Sequence, residues 1–294
     1  MAMGHQKDRQ GDLMVGWAEM PRSPGHVFYD RLQSVLIEGG FAGFAEATCK
    51  PYYAARMGAP SVPPGRYFRM HLVGYFEGID SERGLEWRCS DSLSLREFLL
   101  LEGRDRVPDH SWLSKTRARL PHEVHAAVFD WVLALIAEAG LVKGDRIGVD
   151  ASTMEANAAL RNITRRDTGE GYREMLEHLA QESGIETPTA EDLARLDRKG
   201  KKLSNQDWVS NSDPEARIAK MKDGTTHLAY KPEHAVDLDT GAVVAAELHP
   251  ADEGDTTTLS KTLAAAEANL EAVDAAPTAE DPADCVADKG YHAR

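Results

Sequence analysis

The sequence predicts an α+β protein, helical through its first 140 residues and then built on a short sheet carrying a helical insertion. Two observations lead there. Before residue 140, apolar residues recur at helical intervals and no stretch alternates like a strand. From Asp145 onward, runs rich in Val, Ala and Ile are cut by the turn sequences Asp239-Thr240-Gly241 and Asp288-Lys289-Gly290.

Taken in order, residues 1–25 read as a polar tail. Helical periodicity then covers GHVFYDRLQSVLIEGGF, RYFRMHLVGYFEG and SLREFLLLEG, each with Gly at or near its end. Pro108 breaks the chain, and Asp109 or Ser111 can cap the helix that follows, SWLSKTRARL. The run AAVFDWVLALIAEAG from Ala126 carries Asp130 and Glu138, so it is a core helix and too short and charged to span a bilayer. Domain boundaries are expected at 26–140 and 141–294. In the second domain DRIGVDAST is a strand ending in Asp150, and about 155–225 is a polar, helix-prone insertion with no stretch long enough for a strand. AYKPEHAVDL and AVVAAELHP form a hairpin. GDTTTLSKTLAAAEANLEAV is a helix with Asp255 as its N-cap, and ADCVADKGY is a short buried strand delivering Asp288. Strand, hairpin, helix, strand is the element order of a ribonuclease-H-like core.

The net charge of −14 is unevenly spread. Between Glu233 and Asp288 stand 14 acidic residues against one basic residue, Lys261, so the rest of the chain is close to neutral. Cations gather at Arg106–Leu120 and in the run RKGKK. One surface can thus hold phosphates while another holds metal ions. The N-terminus has no apolar signal stretch, and the three cysteines are far apart with no CxxC pair, which fits a reducing cytoplasm. No GxxxxGK[ST] or dinucleotide fingerprint occurs. A haloacid-dehalogenase phosphatase would need Asp two residues after Asp150, where Ser152 stands.

Several residues are candidates for chemistry. Asp150 and Asp288 each follow a strand, where a carboxylate is either a turn former or a metal ligand. Lys115, Arg117 and Arg119 lie on the helix after Pro108, which is either the second helix of a helix-turn-helix or a solvated helix of a bundle. Arg198, Lys199, Lys201 and Lys202 are candidate phosphate contacts. Asp237 reads as an exposed or pairing carboxylate, His122 and His125 as a surface pair, and His292 as a neighbour of Asp288.

The pattern GVDAST followed by EANAA, the segment SNSDPEARIAKMKDGTTHLAYKPEHAVDLDTGAVVAAELHPADEGDTTTL, and VADKGYH resemble the DDE transposases of bacterial insertion sequences. The helical first part, through GYFEGIDSERGLEWRCSDSLSLREFLLLEGRDRVPDHSWLSKTRARL, resembles the domain that precedes their catalytic core. The likeness covers about residues 25–294. It implies an enzyme that cuts and joins DNA with two Mg²⁺ or Mn²⁺ ions. Its first metal-holding acid sits at the end of the first strand and the second at the end of the fourth, which Asp150 and Asp288 match. Its partners would be double-stranded DNA (terminal inverted repeats and target DNA) and a second subunit in a homodimer, in the cytoplasm at the nucleoid. A third acid, usually Glu on a later helix, has no counterpart. The resemblance therefore also implies a chain truncated at its C-terminus, with an incomplete core and no catalysis by itself. The alternative is a non-catalytic fragment that binds transposon ends or regulates full-length subunits.

Overall fold

In the computed structural model, which describes residues 16, 27–55, 61–198 and 203–292, three helices of the first part begin at a side-chain cap. The order is α1 (Val27–Glu38), α2 (Phe41–Cys49), α3 (Pro64–Glu77), α4 (Glu82–Ser90), α5 (Leu93–Phe98), α6 (His110–Arg119) and α7 (His122–Glu138). The hydroxyls of Ser81 and Ser92 cap α4 and α5, and the Asp109 carboxylate caps α6 by accepting the Trp112 N–H at 2.8 Å. Gly78 closes α3 in the left-handed region (φ 64°), a conformation in which a side chain would be strained. Phe41, Tyr67, Met70, Val73, Leu95, Leu99 and Leu113 are all but fully buried and form one core. Arg69 is buried with them. Its guanidinium donates to the Phe98 carbonyl and lies over the Phe41 and Phe98 rings at 5.7 and 5.6 Å, so the charge is met by a carbonyl and two ring faces rather than by an acid. No single helix among the described residues is long and apolar enough to cross a membrane; α6 and α7 reach the length only as a pair bent by 95°.

The chain divides into two compact units, Met1–Trp131 and Val132–Arg294. In the second, β1 (Arg146–Ala151) leads to β2 (Met154–Glu155), β3 (Ile163–Arg165), α8 (Tyr172–Glu182), α9 (Ala190–Arg198), β4 (Trp208–Ser210) and β5 (Arg217–Lys220). Then come β6 (Thr226–Asp237), β7 (Val243–Pro250), α10 (Asp255–Glu271) and β8 (Asp284–Ala287). The 12-residue β6 is the spine of the sheet. Its first half pairs with β2 and β5, and its second half pairs antiparallel with β1 on one side and β7 on the other. β8 runs parallel to β1, so the four principal strands lie β7-β6-β1-β8. This is the order and sense of the first four strands of a ribonuclease-H-like core. α10 covers β6 and β7 with a stripe repeating every four residues, Thr258, Thr262, Ala266 and Leu270.

The structure corrects three expectations. Residues 155–225 do contain strands: β3 pairs with β4, and β5 pairs with β6. Three or four residues are too few to show alternation, and these strands are held by pairing and by a local core of Ile163, Tyr172, Leu176, Trp208 and Leu228. β8 is not buried. All four of its residues are exposed, because among the described residues only β1 pairs with it. Asp255 is not the N-cap of α10. Gly254 occupies that position and Asp255 is the first helical residue.

Candidate active site

Parallel pairing of β1 with β8 sets Val149 opposite Ala287, so the next residues, Asp150 and Asp288, emerge side by side from neighbouring strand ends. Both line one open cleft of about 680 Å³, together with Ser152, His234, Val236 and Leu238. Each carboxylate has one oxygen held by a backbone N–H: Ala151 donates to Asp150 Oδ1 at 2.9 Å and Gly290 donates to Asp288 Oδ1 at 2.7 Å. Among the described residues the second oxygen of each carries no protein partner. His234 faces Asp150 across the β1–β6 ladder and is exposed. His292, after the Asp288 turn, is exposed as well.

Behind this cleft lies a buried polar cluster that the sequence reading missed. Glu233 is fully buried and accepts hydrogen bonds from Thr258 Oγ1 (2.9 Å), Thr262 Oγ1 and Tyr291 OH (2.8 Å). His249 Nε2 lies 3.6 Å from its carboxylate. Lys231, also buried, sits 3.9 Å from Glu233 and pairs with Asp255 at 2.6 Å. Burial, followed by the bond to Glu233, raises the Tyr291 hydroxyl pKa well above its ordinary value, with Asp255 and Asp150 adding to the effect. Tyr291 therefore stays a donor. The signal for this cluster was in the strand pattern. The inward face of β6 reads Lys231, Glu233, Ala235, Asp237, three charged residues where an alternating strand turns apolar residues inward.

Asp237 is neither exposed nor paired with a cation. It is fully buried, and its carboxylate accepts the backbone N–H groups of Lys143 (2.7 Å), Gly144 (3.2 Å) and Asp239 (2.9 Å). Its place is structural: it ties the turn before β1 to the hairpin. Gly144 has φ 80°, and a Cβ there would lie 2.2 Å from the Ala275 carbonyl, so only glycine fits.

On α6, Lys115, Arg117 and Arg119 are all exposed, but they are not equivalent. Arg117 pairs with Glu82 at 2.9 Å, and Arg119 lies 4.7 Å over the Tyr53 ring. Lys115 has no partner among the described residues. His125 meets Tyr67 OH at 3.2 Å and the Pro121 carbonyl at 3.1 Å, which occupies it within the helical unit. Lys199, Lys201 and Lys202 lie outside the described residues, as does the side chain of Arg198.

A family model described as a transposase domain (DUF772) matches residues 19–119, and one described as a transposase DDE domain matches residues 184–294. The second match includes Asp288 and the Glu233 cluster, whereas Asp150 lies before it. No curated protein and no solved structure matches the chain. A helical transposase domain followed by a transposase DDE domain on one polypeptide identifies the chain as a DDE-type transposase of the insertion-sequence class.

Proposed function

We propose that this chain binds the ends of an insertion sequence through its helical unit and holds divalent metal at Asp150 and Asp288 for DNA cleavage and strand transfer. The single observation supporting the second half is the parallel β1–β8 pairing, which sets two exposed carboxylates at the rim of one cleft. Their donor set suits Mg²⁺ or Mn²⁺: hard oxygens, one free on each carboxylate, with open space for the waters such ions retain. When bound, the metal would activate a water or 3′-hydroxyl and stabilise the leaving oxygen of the phosphodiester. The chain's own contribution is to fix the two acids on strands held by backbone pairing. The turn after β8 adds to this, because a Cβ on Gly290 would lie 2.8 Å from Asp255 Oδ2 and 2.9 Å from Asp288 Oδ1. The substrate would be double-stranded DNA, terminal inverted repeats and target alike, held by a homodimer at the nucleoid.

Metal binding is the direct test. Titrating Mn²⁺ into the protein and following the free-ion signal by electron paramagnetic resonance should give binding that Asp150→Asn and Asp288→Asn each abolish. Unchanged binding in either variant removes that residue from the site.

A second reading is favoured by one observation. Among the described residues no three His, Cys, Asp or Glu side chains are grouped to hold a metal. Two carboxylates of the buried cluster are already engaged, Asp255 by Lys231 and Glu233 by three hydroxyls. On that basis residues 1–294 alone should bind transposon-end DNA without cutting it. A labelled end duplex incubated with the purified chain and Mg²⁺ should show no nicking above the protein-free control. Metal-dependent nicking would refute this, and its loss in Asp255→Asn would name the third ligand.

For DNA binding, Lys115 is the cation expected to matter most. Lys115→Ala should weaken binding across DNA sequences alike and reduce the slope of log K against log salt by about one unit. Arg117→Ala should cost less, because Glu82 already neutralises that guanidinium. Fluorescence anisotropy at several salt concentrations reads both. A Lys115→Ala protein with the parent's slope would move the contact surface elsewhere.

A further inference from the structure

We infer that Glu233 is a positioning residue for Asp288, acting through the Tyr291 hydroxyl, an inference that rests on the reading of Asp150 and Asp288 as metal-holding acids. Little else in the described structure holds Asp288 in place. β8 is four exposed residues paired along one edge, and the segment after it, Lys289–Tyr291, is a single turn of 3₁₀ helix. Among the described residues the hydrogen bonds of Asp288 stay within that turn, its carboxylate accepting Gly290 N–H and its carbonyl accepting Tyr291 N–H. The anchor of the turn is Tyr291, whose ring is buried and whose hydroxyl donates to Glu233 Oε1 at 2.8 Å.

Glu233 is well suited to be the fixed end of this tether. It stands on the central strand β6 directly opposite Ala151, one residue beyond Asp150. The same carboxylate therefore has a rigid relation to the first acid and a hydrogen-bonded relation to the second. Thr258 and Thr262, one turn apart on α10, donate to its two oxygens, and the Thr258 hydroxyl also receives a bond from Lys231 Nζ at 2.8 Å. A buried carboxylate with three hydroxyl donors and a lysine nearby has little freedom to rotate. If packing alone were needed, apolar side chains on β6 and α10 would serve at least as well, since buried charge is weak evidence for stability. What the polar arrangement adds is direction: Tyr291 OH has one place to go.

The testing variant is Tyr291→Phe, which removes one oxygen and leaves the buried ring. Mn²⁺ affinity, measured by the same paramagnetic-resonance titration on the full chain, should fall about tenfold, the usual scale when a partner behind a metal ligand is lost. The melting temperature should change little. Glu233→Gln, which keeps an oxygen to accept from Tyr291, should bind Mn²⁺ more tightly than Tyr291→Phe does. Parent-like affinity in Tyr291→Phe would overturn the inference and leave the metal-site reading intact. If Asp150→Asn and Asp288→Asn bind Mn²⁺ as the parent does, the metal-site reading fails and this inference falls with it. A folded Glu233→Gln protein with affinity no better than Tyr291→Phe would also count against it, since the acceptor would then not be what positions the turn.

Discussion

Transposition of the complete element should fall about a thousandfold when Asp150 or Asp288 is replaced by Asn in the chain supplied to it. Stabilisation of the transferring phosphoryl group by bound metal is worth several kcal/mol, and every 1.4 kcal/mol is a factor of ten in rate. The substitutions are close to isosteric. In Asp288→Asn the amide oxygen still accepts the Gly290 N–H that organises the turn, so what is removed is charge rather than local structure. Transposition frequency in a cell-based assay is the measurement. Asp255→Asn is the informative comparison. Its carboxylate is spent on Lys231 in this structure, so its loss should be smaller; a frequency as low as that of Asp150→Asn would bring Asp255 into the metal site.

Asp237→Ala is expected to be the most damaging change to the α/β unit outside the cleft. It leaves the N–H groups of Lys143, Gly144 and Asp239 without their acceptor, that of Gly144 in a buried place and the other two in partly buried ones. Each orphaned group costs on the order of 1–3 kcal/mol, so the sum is about 3 kcal/mol or more. For a unit of this size that corresponds to a melting temperature lower by roughly 6–12 °C. The effect has a pH signature. Burial pushes the Asp237 carboxyl up, but the N–H groups of Lys143, Gly144 and Asp239 and the Thr240 hydroxyl outweigh it and hold its pKa below the ordinary value. A carboxyl depressed in the folded state contributes stability that is present above its unfolded pKa, about 3.9, and is lost as pH falls through the folded value. The gap in melting temperature between parent and Asp237→Ala should therefore be largest near neutrality and shrink below about pH 4. Equal melting temperatures at pH 7 would show that the carboxylate does no structural work.

Much of this was legible in the chain. Helices α1, α3, α5, α6 and α7 follow from apolar spacing, and α6 from Asp109 at its start as well, whereas α2 and α4 were not read. The β6–β7 hairpin follows from Asp239-Thr240-Gly241, with Gly241 at φ 80°. Asp150 and Asp288 could be named because each follows a strand and precedes small or turn-forming residues. The short strands β3, β4 and β5 could not be found in this way. β3 and β4 are held by partners far apart in sequence, Ile163 against Ser210, and β5 is a four-residue strand that pairs across a short turn with Thr226–Ala229.

The roles of the charged residues divide along the same line. From the sequence, Asp237 read as an exposed or pairing carboxylate, Asp255 as a helix N-cap, and Glu233 as one acid of an acidic stretch. In the fold Asp237 is a backbone acceptor, Asp255 a partner of Lys231, and Glu233 the centre of a hydroxyl cluster. Likewise Lys115, Arg117 and Arg119 look alike on a helical wheel, while Glu82 of α4 and Tyr53 of the segment after α2 occupy two of them. The sequence by itself determined most of the helices, the β6–β7 hairpin and which two acids end strands, because apolar periodicity, caps and turn residues act within a few residues of one another. Only the tertiary structure decided that those acids share a cleft and which of the remaining charges are already engaged, because strand pairing and burial join residues about 140 positions apart and a charge takes its role from whatever lies beside it.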